Sequence, residues 1–412
     1  MTVVHGLRNS VFQDPEKPMD RFNQMWYNAI VNTCHLSPQQ FQLFQGSETI
    51  VNTNDLLWNV FDSLPPKTVN NYYDPTLSNF FTDNYEAVLS KLKTNPALGD
   101  LQTFLGPDLW TKYQIDWQEA HQAAIKNGTK LTRTDFYHDW CRDNCPGKCS
   151  AGTKIITQLD LDPLLDALER FDDAKLANLG YAYTADIKKI LKDVDTMPGL
   201  VGSLDTSTAS SSVSQTWAGS SSSFDFFYSS ESSQTYHDLL TKIYNSRVTV
   251  KVTIDHLLTV QAGPLDKPMP NTPYLKKYTP WYHSTILGLA FNDRSNEVWE
   301  DPTQHPNWDD AFAETGDKHG NLLRRVSGLI LVKGITVEMT FYASFTQSEI
   351  QQFRSSSKEG VWPFYQKSSE NNWDQNDDTS QVDSYNVTMK SGKDTILVLG
   401  ILQTPAPNYF SS

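Results

Sequence analysis

The sequence predicts an α+β fold, an N-terminal multi-helix domain followed by a C-terminal mainly antiparallel β domain. Three features carry that expectation. Apolar residues recur at spacings of three and four from Met19 to about Asp195. Alternation of apolar with polar residues takes over at Arg247. Between them, residues 203–233 (SLDTSTASSSVSQTWAGSSSSFDFFYSSESS) are almost pure Ser and Thr, broken by aromatics. The organisation is then residues 1–200 as a helical domain, 201–235 as a Ser-rich linker or amphipathic ribbon, and 236–412 as a β-rich domain.

In the first half, Phe22, Met25, Trp26, Ala29, Ile30 and Thr33 share one stripe of a helix. Ser37-Pro38-Gln39-Gln40 reads as the start of another, with Ser37 as its cap, Pro38 in the first turn and Gln40 completing a capping box. Asp74-Pro75 introduces a helix through Leu77, Phe81, Tyr85, Val88 and Leu92. Pro107-Asp108 introduces one carrying Trp110, Tyr113, Trp117, Ala120 and Ala124, which Asn127-Gly128 stops. Asp162-Pro163 caps a segment through Leu165, Leu168 and Phe171, and Ile187, Ile190, Leu191 and Val194 close the half.

Two readings of residues 203–233 compete. Ser-rich, charge-poor composition suits a flexible linker, because little apolar surface offsets the entropy of ordering it. Phe224, Phe226 and Tyr228, however, alternate with Asp225, Phe227 and Ser229, so one face of a strand would be aromatic. After a short helical segment, TYHDLLTKIYNSR, the clearest strand follows: Val248, Val250, Val252 and Ile254 on one face, Arg247, Thr249, Lys251, Thr253 and Asp255 on the other. Further strands are expected at 281–291, 324–332, 335–345 after a turn at Lys333-Gly334, 384–389 and 394–402. The stretches 264–280, 355–358 and 371–378 read as loops.

At 412 residues the chain is long enough for a large core. A net charge of −14 with no Lys/Arg block argues against nucleic acid as a partner. The opening MTVVHGLRNSVFQDPEKP lacks an apolar run after a basic start, and no apolar stretch reaches the length of a membrane helix. The expectation is a protein that is cytoplasmic as synthesised, with release that needs no signal peptide left open. Trp, Tyr and Phe, at 11, 18 and 20 residues, are abundant enough to fill cores and still supply surface for sugar stacking, protein interfaces or lipid headgroups.

Nothing in the chain amounts to a reaction signature: no G-x-S-x-G, H-E-x-x-H, Walker loop or G-x-G-x-x-G is present. The densest group of ligand-type residues is His138, Cys141, Cys145 and Cys149, which a helix and the Pro146-Gly147 turn could gather. One imidazole and three thiolates suit tetrahedral zinc, yet the thiols lack the C-x2-C hook; free thiols or a local disulfide explain them too, and no other cofactor is expected. Cys34 reads as core filler. His305 and His319, with Asp309, Asp310 or Asp317, could bind a divalent cation or support acid/base work, and a capped surface helix beginning near Asn307 explains the same carboxylates through its dipole. Trp362 and Phe364, around Pro363, put aromatic surface at a chain reversal.

In one feature the chain resembles pore-forming toxins, its Ser/Thr-rich, aromatic-dotted segment beside long alternating strands. That resemblance implies an amphipathic hairpin held against a sheet and released on oligomerisation. The first functional expectation is therefore a non-enzymatic protein that assembles with itself and engages membrane lipid or a surface receptor. Trp217, Phe224, Phe226, Tyr228, Trp362 and Phe364 would make the contacts. One alternative is a secondary-metabolism or metal-dependent enzyme with an aromatic-lined pocket between helices and sheet, using His283, His256 or the His138/Cys group. Another is a carbohydrate- or protein-binding module.

Overall fold

A computed structural model describes residues 18–38, 40–49, 53–64, 80–93, 96–127, 129, 131–210, 234–292, 299–301, 325–357, 360–361, 364–365, 373–378, 384–392 and 394–404. The fold is α+β with an antiparallel sheet. Helix α1 (Pro18–Thr33) buries Phe22, Met25, Trp26 and Ile30, the stripe that its spacing predicts. The helix expected from Ser37 does not form. The Ser37 carbonyl accepts from Gln40 and Phe41 in a turn that leads into strand β1 (Phe41–Thr49). The local capping signal loses to burial, since Phe41 and Leu43 are sunk in the core of a sheet.

Helix α2 (Asn54–Asp62) is capped by Thr53, whose hydroxyl accepts from Leu56 N–H. Then come α3 (Phe81–Leu89), α4 (Pro96–Leu105), α5 (Pro107–Lys126), α6 (Arg133–Asn144), α7 (Cys149–Asp160), α8 (Pro163–Ala177) and α9 (Ile187–Asp193). Asp162 caps α8 by accepting from Leu164 N–H at 3.0 Å, and Pro163 opens its first turn as predicted. Strand β2 (Leu200–Asp205) precedes residues 211–233, which lie outside the described residues.

Helix α10 (Gln234–Asn245) and strand β3 (Arg247–Gln261) follow the expected pattern. The strand expected at 281–291 is instead a loop and helix α11 (Ser284–Asn292), in which Ile286, Leu287 and Ala290 form one buried helical face. A short apolar run does not by itself distinguish the two. Nor does the chain turn at Lys333-Gly334. Strand β4 (Arg325–Tyr342) runs straight through, pairing Ile254 with Ile335 and His256 with Lys333 on either side of Gly334, which takes φ +67°.

Helix α12 (Gln347–Ser357) absorbs most of the expected 355–358 loop. Strands β5 (Gly360–Val361) and β6 (Phe364–Tyr365) form a small ribbon. Strand β7 (Trp373–Asp378) replaces the loop expected there, because pairing with β8 (Tyr385–Ser391) holds its polar residues extended. Strand β9 (Ile396–Thr404) ends the described chain. No helix among the described residues is long and apolar enough to cross a membrane.

The chain divides into two compact units. Among the described residues the first comprises 18–64, 185–261 and 325–404, the second 80–184 and 262–301. The first contains the sheet, in the order β1-β9-β4-β3-β2, with β8 beside β4 and β7 beyond β8. One side of β4 pairs with β3 along nearly its whole length; the other is shared between β9 at 325–333 and β8 at 336–341. Residues of α1, α10 and α12 join one face of this sheet in a single core, where each fully buried Val, Ile or Phe contributes about 1.5–3 kcal/mol.

The second unit is helical and its core is aromatic. Phe81, Tyr85, Phe171, Tyr181 and Tyr183 set their rings 5.3–6.4 Å from Trp281, whose indole N–H donates to the Ala182 carbonyl at 2.8 Å. A second cluster joins α4, α5, α6 and α7 through Leu101, Trp110, Tyr113, Tyr137, Trp140 and Ile156.

Candidate functional site

Over β2, residues 247–255 of β3, residues 336–341 of β4 and β8, the side of the sheet turned away from the core of α1, α10 and α12 is built from hydroxyls and charges, whereas at the other end of β4 both Leu329 and Leu331 are buried. Register fixes three rows across four strands. Asp205, Thr249, Thr340 and Asn386 form one; Ser203, Lys251, Glu338 and Thr388 the next; Val201, Thr253, Thr336 and Lys390 the third. Lys251, Glu338, Val201 and Ser203 are exposed, and the Thr residues and Asn386 are partly so. This follows from period two: with Val248, Val250, Val252, Met339, Val387 and Met389 committed to the core, their chain neighbours face outward.

Ion pairs lace the face. Lys251 and Glu338, directly opposite, meet at 2.9 Å. Arg247 donates to the Asp205 carboxylate through Nε at 3.1 Å and lies 4.8 Å above the ring of Tyr342. Hydrogen bonds from Arg247 and Ser207 hold the Asp205 carboxyl well below the usual range.

Strand β2 is one end of the sheet. Helix α1 crosses its inner face so closely that a Cβ on Gly202 would lie 2.1 Å from the Thr33 hydroxyl oxygen. Its outer edge has no partner strand among the described residues. Natural edges are blunted by Lys, Pro or bulges. Strand β2 has none of these: six residues pair with β3 in unbroken register, Val201 is 65 % exposed, and the one charged residue, Asp205, is engaged by Arg247.

Trp217, Phe224, Phe226, Tyr228 and Trp362 lie outside the described residues, as do His305, His319, Asp309 and Asp310. Phe364 falls in β6, its backbone paired with Val361. The His138/Cys group is only partly brought together. Helix α6 and the turn Pro146–Lys148 bring Cys141 and Cys149 to a Cα separation of 5.5 Å, bridged as a disulfide, which removes two thiolates from any ligand set. Cys145 is a buried free thiol whose pKa burial raises. His138 points to solvent beside Asp139. No three His, Cys, Asp or Glu residues are placed to hold a metal among the described residues. Cys34 is core filler as read from the sequence, its thiol pushed up to about 12 by burial.

The hydroxyl rows are what sequence reading passed over. Alternation in β3 and β4 exposes single columns, but rows exist only once register is known. No family model, curated protein or solved structure matches the chain.

Proposed function

We propose that the chain associates with a second copy of itself by antiparallel pairing of β2 with β2 across the sheet edge. The observation that carries this reading is the unprotected edge: extended, in full register with β3, free of Lys and Pro, with Val201 outward. Pairing of β2 with β2 is self-complementary, so it closes as a two-fold dimer. It would join two hydroxyl-rich faces into one polar surface suited to a receptor or to lipid headgroups. Phe224, Phe226 and Tyr228, which follow this edge in the chain, supply the apolar contacts.

The test combines light scattering over a concentration series with leakage from dye-loaded liposomes. Growth in mass with concentration, abolished by Val201→Lys with Ser203→Lys, is the expected result; both side chains are exposed, so the substitutions leave the core untouched. A wild-type protein that stays monomeric at all concentrations overturns the reading. Assembly without leakage retains the dimer and removes the lipid role.

A further inference from the structure

Within the second unit, α8 and the first turn of α11 bring a hydroxyl, an imidazole and a carboxylate into line. His283, just before α11, places Nδ1 2.9 Å from Thr285 Oγ1 and Nε2 3.4 Å from Asp166 Oδ2. Arg170, one turn along α8, approaches the same Oδ2 at 2.7 Å and donates to the Asp266 carbonyl at 2.7 Å, which fixes the carboxylate. The His283 backbone N–H donates to the Tyr85 hydroxyl at 3.0 Å. The imidazole is thus met at both ring nitrogens while Tyr85 holds the residue's backbone; its side chain is 18 % exposed, and Thr285 lies at the surface.

This arrangement selects a tautomer. With Nε2–H turned to Asp166, Nδ1 is the acceptor for the Thr285 hydroxyl proton. Burial, reinforced by Arg170, lowers the His283 pKa, so the ring is neutral and able to take a proton near pH 7. Asp166 and Asp266 oppose that shift.

We infer that Thr285 is a nucleophile for acyl transfer from carboxylic esters, with His283 as its general base and Asp166 as a positioning residue. Thr285 Oγ1 bonds to the ester carbonyl carbon as its proton moves to His283 Nδ1. The C–O bond to the alcohol breaks, and the leaving oxygen takes that proton back. Water repeats the sequence on the acyl-threonine, so ester and water give acid and alcohol. This goes beyond the assembly reading and depends on none of its residues.

The test uses the full-length protein with p-nitrophenyl acetate and, separately, with a fluorophosphonate probe mapped by peptide mass spectrometry. Labelling concentrated at Thr285 is expected. Thr285→Val should abolish labelling and ester hydrolysis, Thr285→Ser should retain both, and His283→Gln should slow hydrolysis by roughly 100-fold. In Asp166→Asn the acidic limb of the pH–rate profile should move to lower pH, because the anion that raised the imidazole pKa is gone. Circular dichroism spectra matching wild type confirm that each variant folds. Labelling spread evenly over exposed Ser and Thr, or hydrolysis unchanged in Thr285→Val, overturns the inference.

Discussion

The sheet unit and the helical unit use the same kinds of residue in opposite ways. In the sheet unit, period two sends Val248, Val250, Val252 and Ile254 inward and commits an equal number of positions to water, so a broad polar face is unavoidable. In the helical unit the aromatics surround one another, Trp281 at the centre, and the polar groups that matter lie at helix ends and in connecting loops. A strand therefore makes surfaces, in which many residues each contribute little. A helix terminus makes points, in which two or three side chains converge, as His283, Asp166 and Thr285 do.

That contrast can be broken most forcefully at Trp281. Trp281→Ala removes the shared neighbour of six rings among the described residues and should cost about 3–5 kcal/mol, read as a lower urea midpoint and loss of near-ultraviolet circular dichroism. Next comes the Cys141–Cys149 bridge, eight residues apart in the chain. Replacing both by Ala should cost about 2–3 kcal/mol, chiefly through a less restricted unfolded chain. In the sheet unit Gly334→Ala should cost roughly 1–3 kcal/mol, since φ is +67° and the new Cβ would meet Asp255 Oδ2 at 2.2 Å.

The smallest and sharpest difference concerns pH. The lowered pKa of His283 means the unfolded chain binds the proton more readily, so the helical unit should begin to lose stability as pH falls below about 6.5. Asp205 in the sheet unit is also lowered, but from an ordinary value of 3.8. Its contribution is present above that value and is lost as pH falls through it and below, weakly because the pair with Arg247 is solvent-screened. Separate probes of the two units during acid titration check the order.

Much of the fold was legible in the sequence where pattern is local. Helices α1, α5 and α8 carry their stripes and stops within a few turns, and β3 its alternation within nine residues. What could not be read depends on partners far along the chain. Strand β1 hides behind a capping pattern because only β9 makes it extended, and β7 behind acidic residues because only β8 does. Of the reacting groups, His283 was legible as an isolated histidine, whereas its carboxylate lies on a helix from another part of the sequence. The hydroxyl rows needed register, which a single chain read linearly does not contain.

The pairing of Phe41 with Leu402 has a consequence for synthesis. The ribosome must add 361 residues after Gln42 to reach its neighbour Gln403. At about 5–20 residues per second, β1 waits on the order of twenty seconds to a minute for β9, its neighbour in the sheet among the described residues. Helices α4 to α7 lie close together in sequence and can assemble well before then. Vectorial folding thus orders the two units in time, the helical cluster early and the sheet last, and any pause late in translation prolongs the interval in which β1 is an unpaired apolar strand.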